Sequence, residues 1–290
     1  MLLKAKTKAI IYVLLCVQLW ALIPIVSKLG QTNLDNYQFL FFSSLISFIL
    51  FLILSFLTED YKVFYKLKSL EYAKSIFLGF LGTYLYYILL YFGYKNTKGL
   101  EVLVIQYSWP VFIILFSAII LNEKITKKRI VAVLLGFLGV FIVLSKGNFT
   151  QIHFQNFKVD ILILLAAIVF ALFSILSKKI TINALILNTV YFLTATILSF
   201  VTMMIFSNLT FPSLKSWFSI IINGLFVNGI SYFFWIKALK NTKASFLALF
   251  IFLTPIISSI YLVLFFGEKL LPVYLIGLIL VITGGIVGMV

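Results

Sequence analysis

The sequence is short of the residues that do chemistry in solution. Among its 290 residues are one cysteine and one histidine. Cys16 alone cannot form a disulfide within the chain. Without a CxxC or a His/Cys cluster there is no set of zinc ligands. His153 stands in a polar connector, Thr150 to Lys158, where a histidine is ordinarily a solvated side chain. Only eight residues are acidic, and Arg129 is the sole arginine. An arginine-rich voltage-sensing helix is therefore absent. No GxxxxGK[ST] occurs, which argues against ATP-driven transport by this chain. Neither HExxH nor GxSxG is present. These absences argue against an enzyme and leave no cofactor or metal to expect. Charged residues make up 11% of the chain, where a soluble domain has about 25%.

What is present is apolar. The chain is 63% hydrophobic and 18% aromatic, with a mean hydropathy of +1.18. A net charge of +15 would ordinarily suggest nucleic acid. Here the lysines sit between long apolar runs, where they flank membrane helices and meet anionic lipids, so no nucleic-acid partner is expected. Ten runs approach the roughly 20 residues that a membrane helix needs. They are Ile10–Lys28, Tyr37–Leu57, Ala73–Tyr94, Gly99–Leu121, Ile130–Ser145, Asp160–Ser177, Ala184–Phe206, Ser216–Lys237, Ala244–Phe266 and Pro272–Val290. They are too long and too evenly apolar for β-barrel strands. The first, after Lys4, Lys6 and Lys8, is read as a membrane helix rather than a cleaved signal. Sixteen of the 23 lysines and arginines fall on the N-terminal side of the alternating connectors. The cation-rich side faces the cytoplasm. The expected fold class is an all-α, multi-pass integral protein of the inner (plasma) membrane, with ten helices and both termini inside.

Matches between the two halves set the expected architecture. Trp20-Ala21-Leu22 and Ser27-Lys28 reappear as Phe170-Ala171-Leu172 and Ser177-Lys178. Lys95-Asn96-Thr97-Lys98 reappears as Lys240-Asn241-Thr242-Lys243. In the same register Pro110 matches Pro255, Glu123-Lys124 matches Glu268-Lys269, and Gly139 matches Gly284. The expected units are residues 1–147 and 159–290, joined by a connector at 148–158. Five helices per unit is an odd number, so the second unit is inverted in the membrane, as in many secondary transporters.

These features resemble the drug/metabolite transporter superfamily, and its EamA-type repeat in particular. The segment Glu101-Val102 … Gln106-Tyr107-Ser108-Trp109-Pro110 is similar to a Glu…Asn-Tyr-Leu-Trp-Pro segment of the aromatic amino acid exporter branch. This chain has Gln106 and Ser108 where that segment has Asn and Leu. The resemblance implies cavity-lining aromatics at Tyr107 and Trp109.

Polar groups inside a bilayer are costly and mark candidate sites. Glu101 is the one acid inside a run. It is read either as a proton-coupling carboxylate or as a helix-start residue paired with Lys98. Tyr84, Tyr87 and Tyr91 recur at helical spacing and form one expected aromatic stripe. Trp20, Tyr191, Tyr232 and Trp235 also lie deep in runs. Gln18, Gln106, Asn188, Asn223, Asn228 and Ser231 are neutral polar residues within runs, of which Gln106, Asn188 and Asn228 are the expected solute contacts. Ser43, Ser44 and Ser47 are read as permitting close helix approach. The candidate substrate-binding set is thus Trp20, Tyr84, Tyr87, Tyr91, Gln106, Tyr107, Trp109, Asn188, Asn228 and Tyr232. Pro110 and Pro255 are repeat partners inside helices and are read as gating hinges. The glycines of the fifth and last runs read as close packing or a homodimer face.

The expected function is secondary transport of a small metabolite by alternating access. The branch resemblance implies export of amino acids, aromatic ones first. Two alternatives stand beside it: an exporter of drugs or amphipathic cations, and a lipid-handling membrane protein. The expected partners are a small-molecule substrate and membrane lipids.

Overall fold

An apolar run in hydrocarbon can satisfy its backbone groups within itself only as a helix. The computed structural model describes residues 2–97, 99–148, 156–267 and 271–289, and among them every regular element is helical. In chain order these are α1 (Ala5–Gly30), α2 (Asn36–Leu57), α3 (Ser69–Asn96) and α4 (Val102–Leu121). They continue with α5 (Lys127–Leu144), α6 (Phe157–Lys178), α7 (Ala184–Phe206), α8 (Leu214–Asn241), α9 (Ala244–Phe265) and α10 (Val273–Met289). Eight of them are long and apolar enough to cross a membrane. The other two fall short for visible reasons. The first turn of α5 is Lys127-Lys128-Arg129, and α10 has 17 residues.

Local signals set the ends. Asp35 opens α2 with a capping box: its carboxylate accepts from Tyr37 N and Gln38 N, both at 2.9 Å, and Gln38 Oε1 accepts from Asp35 N at 3.0 Å. Asn183 caps α7 by accepting from Ile186 N at 2.9 Å. Helix α3 starts before its apolar run, because Glu71 accepts from Lys68 N at 2.9 Å and secures a polar first turn.

Five of the helices are irregular in the middle. α1 breaks at Ala21-Leu22, α4 at Tyr107-Ser108 and α9 at Phe252. Each break lies two or three residues before a proline, Pro24, Pro110 or Pro255. α3 and α8 instead contain π-helical turns, Phe80–Leu85 and Asn223–Ile230.

The helices pack α5 on α10, α2 on α7, α1 on α8, and α3 and α4 on α6. The α5–α10 contact is a close approach. A Cβ at Gly139 would lie 2.7 Å from Gly277 O, and a Cβ at Gly277 would lie 2.7 Å from Gly139 O. Only hydrogen fits between these two backbones. The glycine stripe is therefore used within the chain, except at Gly285, where nothing lies within 4 Å. Hydroxyls join the halves at two more crossings. Ser47 Oγ donates to Gly224 O at 2.7 Å, and Thr83 Oγ1 donates to Tyr191 O at 2.8 Å. Such bonds average about 0.6 kcal/mol in a bilayer, so they position helices more than they bind them.

The glycine contact makes a prediction. Gly139→Leu should destabilise the detergent-solubilised protein by about 1–3 kcal/mol, the usual cost of overpacking. Gly285→Leu should leave the melting curve in place. Equal losses from both would show that α5 and α10 are not held at this distance.

Candidate functional site

The irregular stretches of α1, α4 and α9 meet beside α3 and α6. Their residues line one small cavity: Trp20, Ile23, Tyr86, Tyr87, Gln106, Tyr107, Trp109, Phe170, Ile251 and Thr254. The rings pack edge to face. Trp20 and Trp109 are 5.8 Å apart at 80°, Trp20 and Phe170 5.7 Å at 75°, and Trp109 and Phe170 5.0 Å at 82°. Trp235 closes the cluster from α8, 5.5 Å from Trp20 and 5.7 Å from Trp109. Its indole N–H donates to Ser174 Oγ at 3.0 Å, which fixes the ring. Each such pair contributes about 0.5–1.5 kcal/mol beyond area burial. The space left is about 20 Å³, room for about one water-sized group. The site is therefore largely filled by its own side chains in this conformation.

Polar atoms collect at the same place. Gln106 Nε2 donates to Tyr86 Oη at 2.6 Å. Gln106 Oε1 is buried and has no hydrogen-bond partner among the described residues. A proline has no N–H for the carbonyl four residues before it. For Pro24, Pro110 and Pro255 those carbonyls belong to Trp20, Gln106 and Ile251, and all three residues line the cavity. The next carbonyl along α1, that of Ala21, receives a donor from α9: Ser258 Oγ, at 2.9 Å.

One end of the molecule is tied shut by charged groups. Glu123, just after α4, accepts from Ala244 N at 2.9 Å and from Ser245 N at 3.1 Å, and so caps the start of α9. Ser245 Oγ donates to the same carboxylate at 2.5 Å and accepts from Arg129 Nη1 at 2.7 Å. Lys178 Nζ donates to Leu239 O at 2.7 Å and also to Thr242 O. Lys240 Nζ donates to Ile182 O. Together these bonds join the ends of α4, α6, α8 and α9 on one face.

Of the residues expected at the site, Trp20, Tyr87, Gln106, Tyr107 and Trp109 line the cavity. Tyr232 is one layer behind, 6.2 Å from Trp20, with its hydroxyl donating to Gly82 O at 2.9 Å. Four lie elsewhere. Tyr91 packs edge-on against Phe39 at 5.6 Å. Asn188 Nδ2 donates to Ala184 O in its own helix at 2.7 Å. Asn228 is fully buried, and neither side-chain polar atom has a partner among the described residues. Tyr84 is half-buried beside Phe80. The expected single stripe of Tyr84, Tyr87 and Tyr91 is corrected here. Tyr84 lies within the π-helical turn Phe80–Leu85, and the extra residue in such a turn rotates the face that follows. The side chain of Glu101 lies outside the described residues, as do His153, Lys98 and Glu268. Pro110 and Pro255 sit just after the breaks in α4 and α9.

Ile23, Tyr86, Phe170, Ile251 and Thr254 complete the lining, and Trp235 backs it, without having been among the expected contacts. A signal for three of them was present. Phe170 is the repeat partner of Trp20, Ile251 that of Gln106, and Thr254 that of Trp109.

Comparison with known proteins places the chain. The model of the EamA-like transporter family matches residues 7–145 and again 157–289. An S-adenosylmethionine uptake transporter of Rickettsia prowazekii is 26% identical over 281 residues, 92% of this chain and 87% of its own. An uncharacterized transporter of Bacillus subtilis, YyaM, is 25% identical over 215 residues, 72% of this chain and 70% of its own. A solved crystal structure superposes with a TM-score of 0.86 at 16% identity, covering 98% of this chain and 97% of that one, which establishes the shared fold. The double match spans nearly the whole sequence, and the chain belongs to the EamA-like transporter family.

Proposed function

We propose that this family member works by alternating access through ten membrane helices, in two inverted units of five, with both termini in the cytoplasm. The units are residues 1–147 and 159–290, joined by 148–158. Several paired features support the two-unit repeat, and five helices per unit would invert the second. α3 and α8 are each 28 residues long, and each is interrupted by a π-helical turn. The proline-linked breaks in α4 and α9 occupy matching positions. So do Asn122 and Gly267, the left-handed residues that end α4 and α9, with φ of 53° and 65°.

The observation that carries the reading is the convergence of three proline-broken helices on one closed aromatic cavity. Irregular backbone at membrane depth is tolerated where protein or a cavity surrounds it. Aromatic walls with a few polar groups suit a small, partly flat solute. In this scheme Pro110 and Pro255 let the halves of α4 and α9 bend separately. The face tied by Glu123 is the cation-rich, cytoplasmic one, and it is the closed gate of this conformation. The solute class is amino acids, with aromatic ones first, moved outward. A second reading is uptake of S-adenosylmethionine or a similar solute, which the names of several relatives favour. That molecule is itself an amino-acid derivative bearing a flat purine and a sulfonium charge.

Transport in proteoliposomes tests the site. Labelled aromatic amino acids and S-adenosylmethionine are loaded in separate arms. Trp109→Ala should slow the transported solute at least about tenfold, the size of one lost aromatic anchor. Unchanged flux with Trp109→Ala would remove the cavity from the pathway. The gate makes a separate prediction. In a Cys16→Ala background, Thr254→Cys should react slowly with an impermeant thiol reagent from the cytoplasmic face. Adding Glu123→Ala should raise that rate severalfold. No change would mean that Glu123 does not hold the face closed.

A further inference from the structure

A groove of about 460 Å³ runs between α2, α3 and α7, apart from the aromatic cavity. Ile76 and Leu193 on its walls are exposed, so it opens on the outside of the helix bundle. Helical periodicity sets its shape. α2 contributes Phe48 and Leu52, four residues apart, and α3 contributes Tyr72, Ile76 and Phe80 at the same spacing. α7 lines it from Thr189 to Leu198, a rise of roughly 13 Å at 1.5 Å per residue. One leaflet of the hydrocarbon core is about 15 Å deep, half of the full thickness. The groove thus matches the depth of a single leaflet. Its walls offer no polar anchor for a metabolite. Three of the twelve lining residues carry hydroxyls, and each hydroxyl is already bonded. Tyr72 Oη donates to Phe64 O at 2.7 Å, Thr189 Oγ1 to Leu185 O at 2.9 Å and Thr194 Oγ1 to Val190 O at 2.8 Å.

One end of the groove meets charge. The 3-10 helix Asp60–Lys66, between α2 and α3, packs on α2 and α7, and its Phe64 lines the groove. Lys66 and Lys68 stand in the chain between Phe64 and Tyr72, and Lys74 follows Tyr72 by two residues. All three lysines are exposed. The acids around them are engaged elsewhere. Glu59 pairs with Lys62, Asp60 accepts from Thr58 Oγ1 at 3.1 Å, and Glu71 accepts from Lys68 N at 2.9 Å. Lys66, Lys68 and Lys74 form no ion pair among the described residues. Tyr65 lies exposed in the same connector, as aromatic residues do in the headgroup layer. We propose that this groove binds one anionic phospholipid. An acyl chain fills the apolar channel, and the headgroup phosphate is held by the Lys66, Lys68 and Lys74 connector. The lipid bridges α7 of the second unit to α2 and α3 of the first. In the proposed topology it belongs to the inner leaflet. Its binding does not depend on which solute the protein carries.

Native mass spectrometry of the full chain, released from detergent micelles, reads the retained lipid. The protein is incubated with equal amounts of phosphatidylglycerol and phosphatidylcholine bearing the same acyl chains. The first lipid retained should be phosphatidylglycerol, with a preference of at least about tenfold from three lysines beside an anionic group. The combined variant Lys66→Gln, Lys68→Gln and Lys74→Gln should bring the two lipids to near-equal retention. Ile76→Trp adds bulk to the groove from an exposed position and should cut retention of phosphatidylglycerol severalfold. Leu193→Trp fills the same groove from α7 and stands in if Ile76→Trp does not fold. Two controls should behave as wild type: Ile119→Trp, exposed on α4, and Lys127→Gln with Lys128→Gln, at the start of α5. Equal retention of the two lipids by the wild-type chain overturns the inference, because the groove would then hold only unselected bilayer lipid. A full preference in the triple lysine variant overturns it too. So does an equal loss in the Lys127 and Lys128 control, which would mean a general attraction to the cationic face. Undiminished retention in folded Ile76→Trp and Leu193→Trp would remove the groove from the site.

Discussion

The structure depends on one constraint: in a bilayer, backbone groups must be satisfied by the protein itself. A regular helix meets that condition everywhere along its length. Each departure from regularity therefore needs a local explanation, and here the departures are concentrated. The breaks before Pro24, Pro110 and Pro255 face the same cavity. The π-helical turns of α3 and α8 lie at helix crossings, where Gly79 and Gly224 admit neighbouring backbones and hydroxyls bridge them. Irregular backbone thus appears where another part of the chain can answer it, or where a site is formed.

Much of this order was legible in the sequence. The apolar runs mark the helices, although polar first turns extend α3 and three cations shorten the apolar part of α5. Trp20 and Phe170 pair in the repeat comparison and stack edge-on at 5.7 Å in the structure. Depth was therefore readable, but direction around each helix was not. A π-helical turn shifts every residue after it, and no composition signal marks where one occurs. Tyr84 and Asn228 both lie inside such turns. Phe170 and Ile251 were hidden for a different reason. A single apolar residue among 63% hydrophobic residues carries no signal of its own, and only its partner in the other half singles it out.

The tight filling of the site and the bonds around Glu123 belong together in the proposed cycle. Interlocked rings leave almost no free volume, so a metabolite can enter only if the helix halves separate. Glu123 ties the first half of the chain to the start of α9 in the second. Its bonds are charge-assisted and lie at a helix N-terminus, where an anion is favoured. They lie near the helix ends, away from the glycine contact of α5 and α10. In the proposed cycle the glycine-packed pair stays together while the bonds of Glu123 break and re-form.

The central claim is that two ends open in turn about a fixed site. Spin-label distances across each end test it most directly. Pairs at Lys124 and Lys243 report the end that carries Glu123, and pairs at Lys95 and Lys215 report the opposite one. The account predicts that adding the transported solute widens one distance while the other narrows, in the same population of molecules. Distances at both ends that stay fixed while the same preparation transports solute would contradict it.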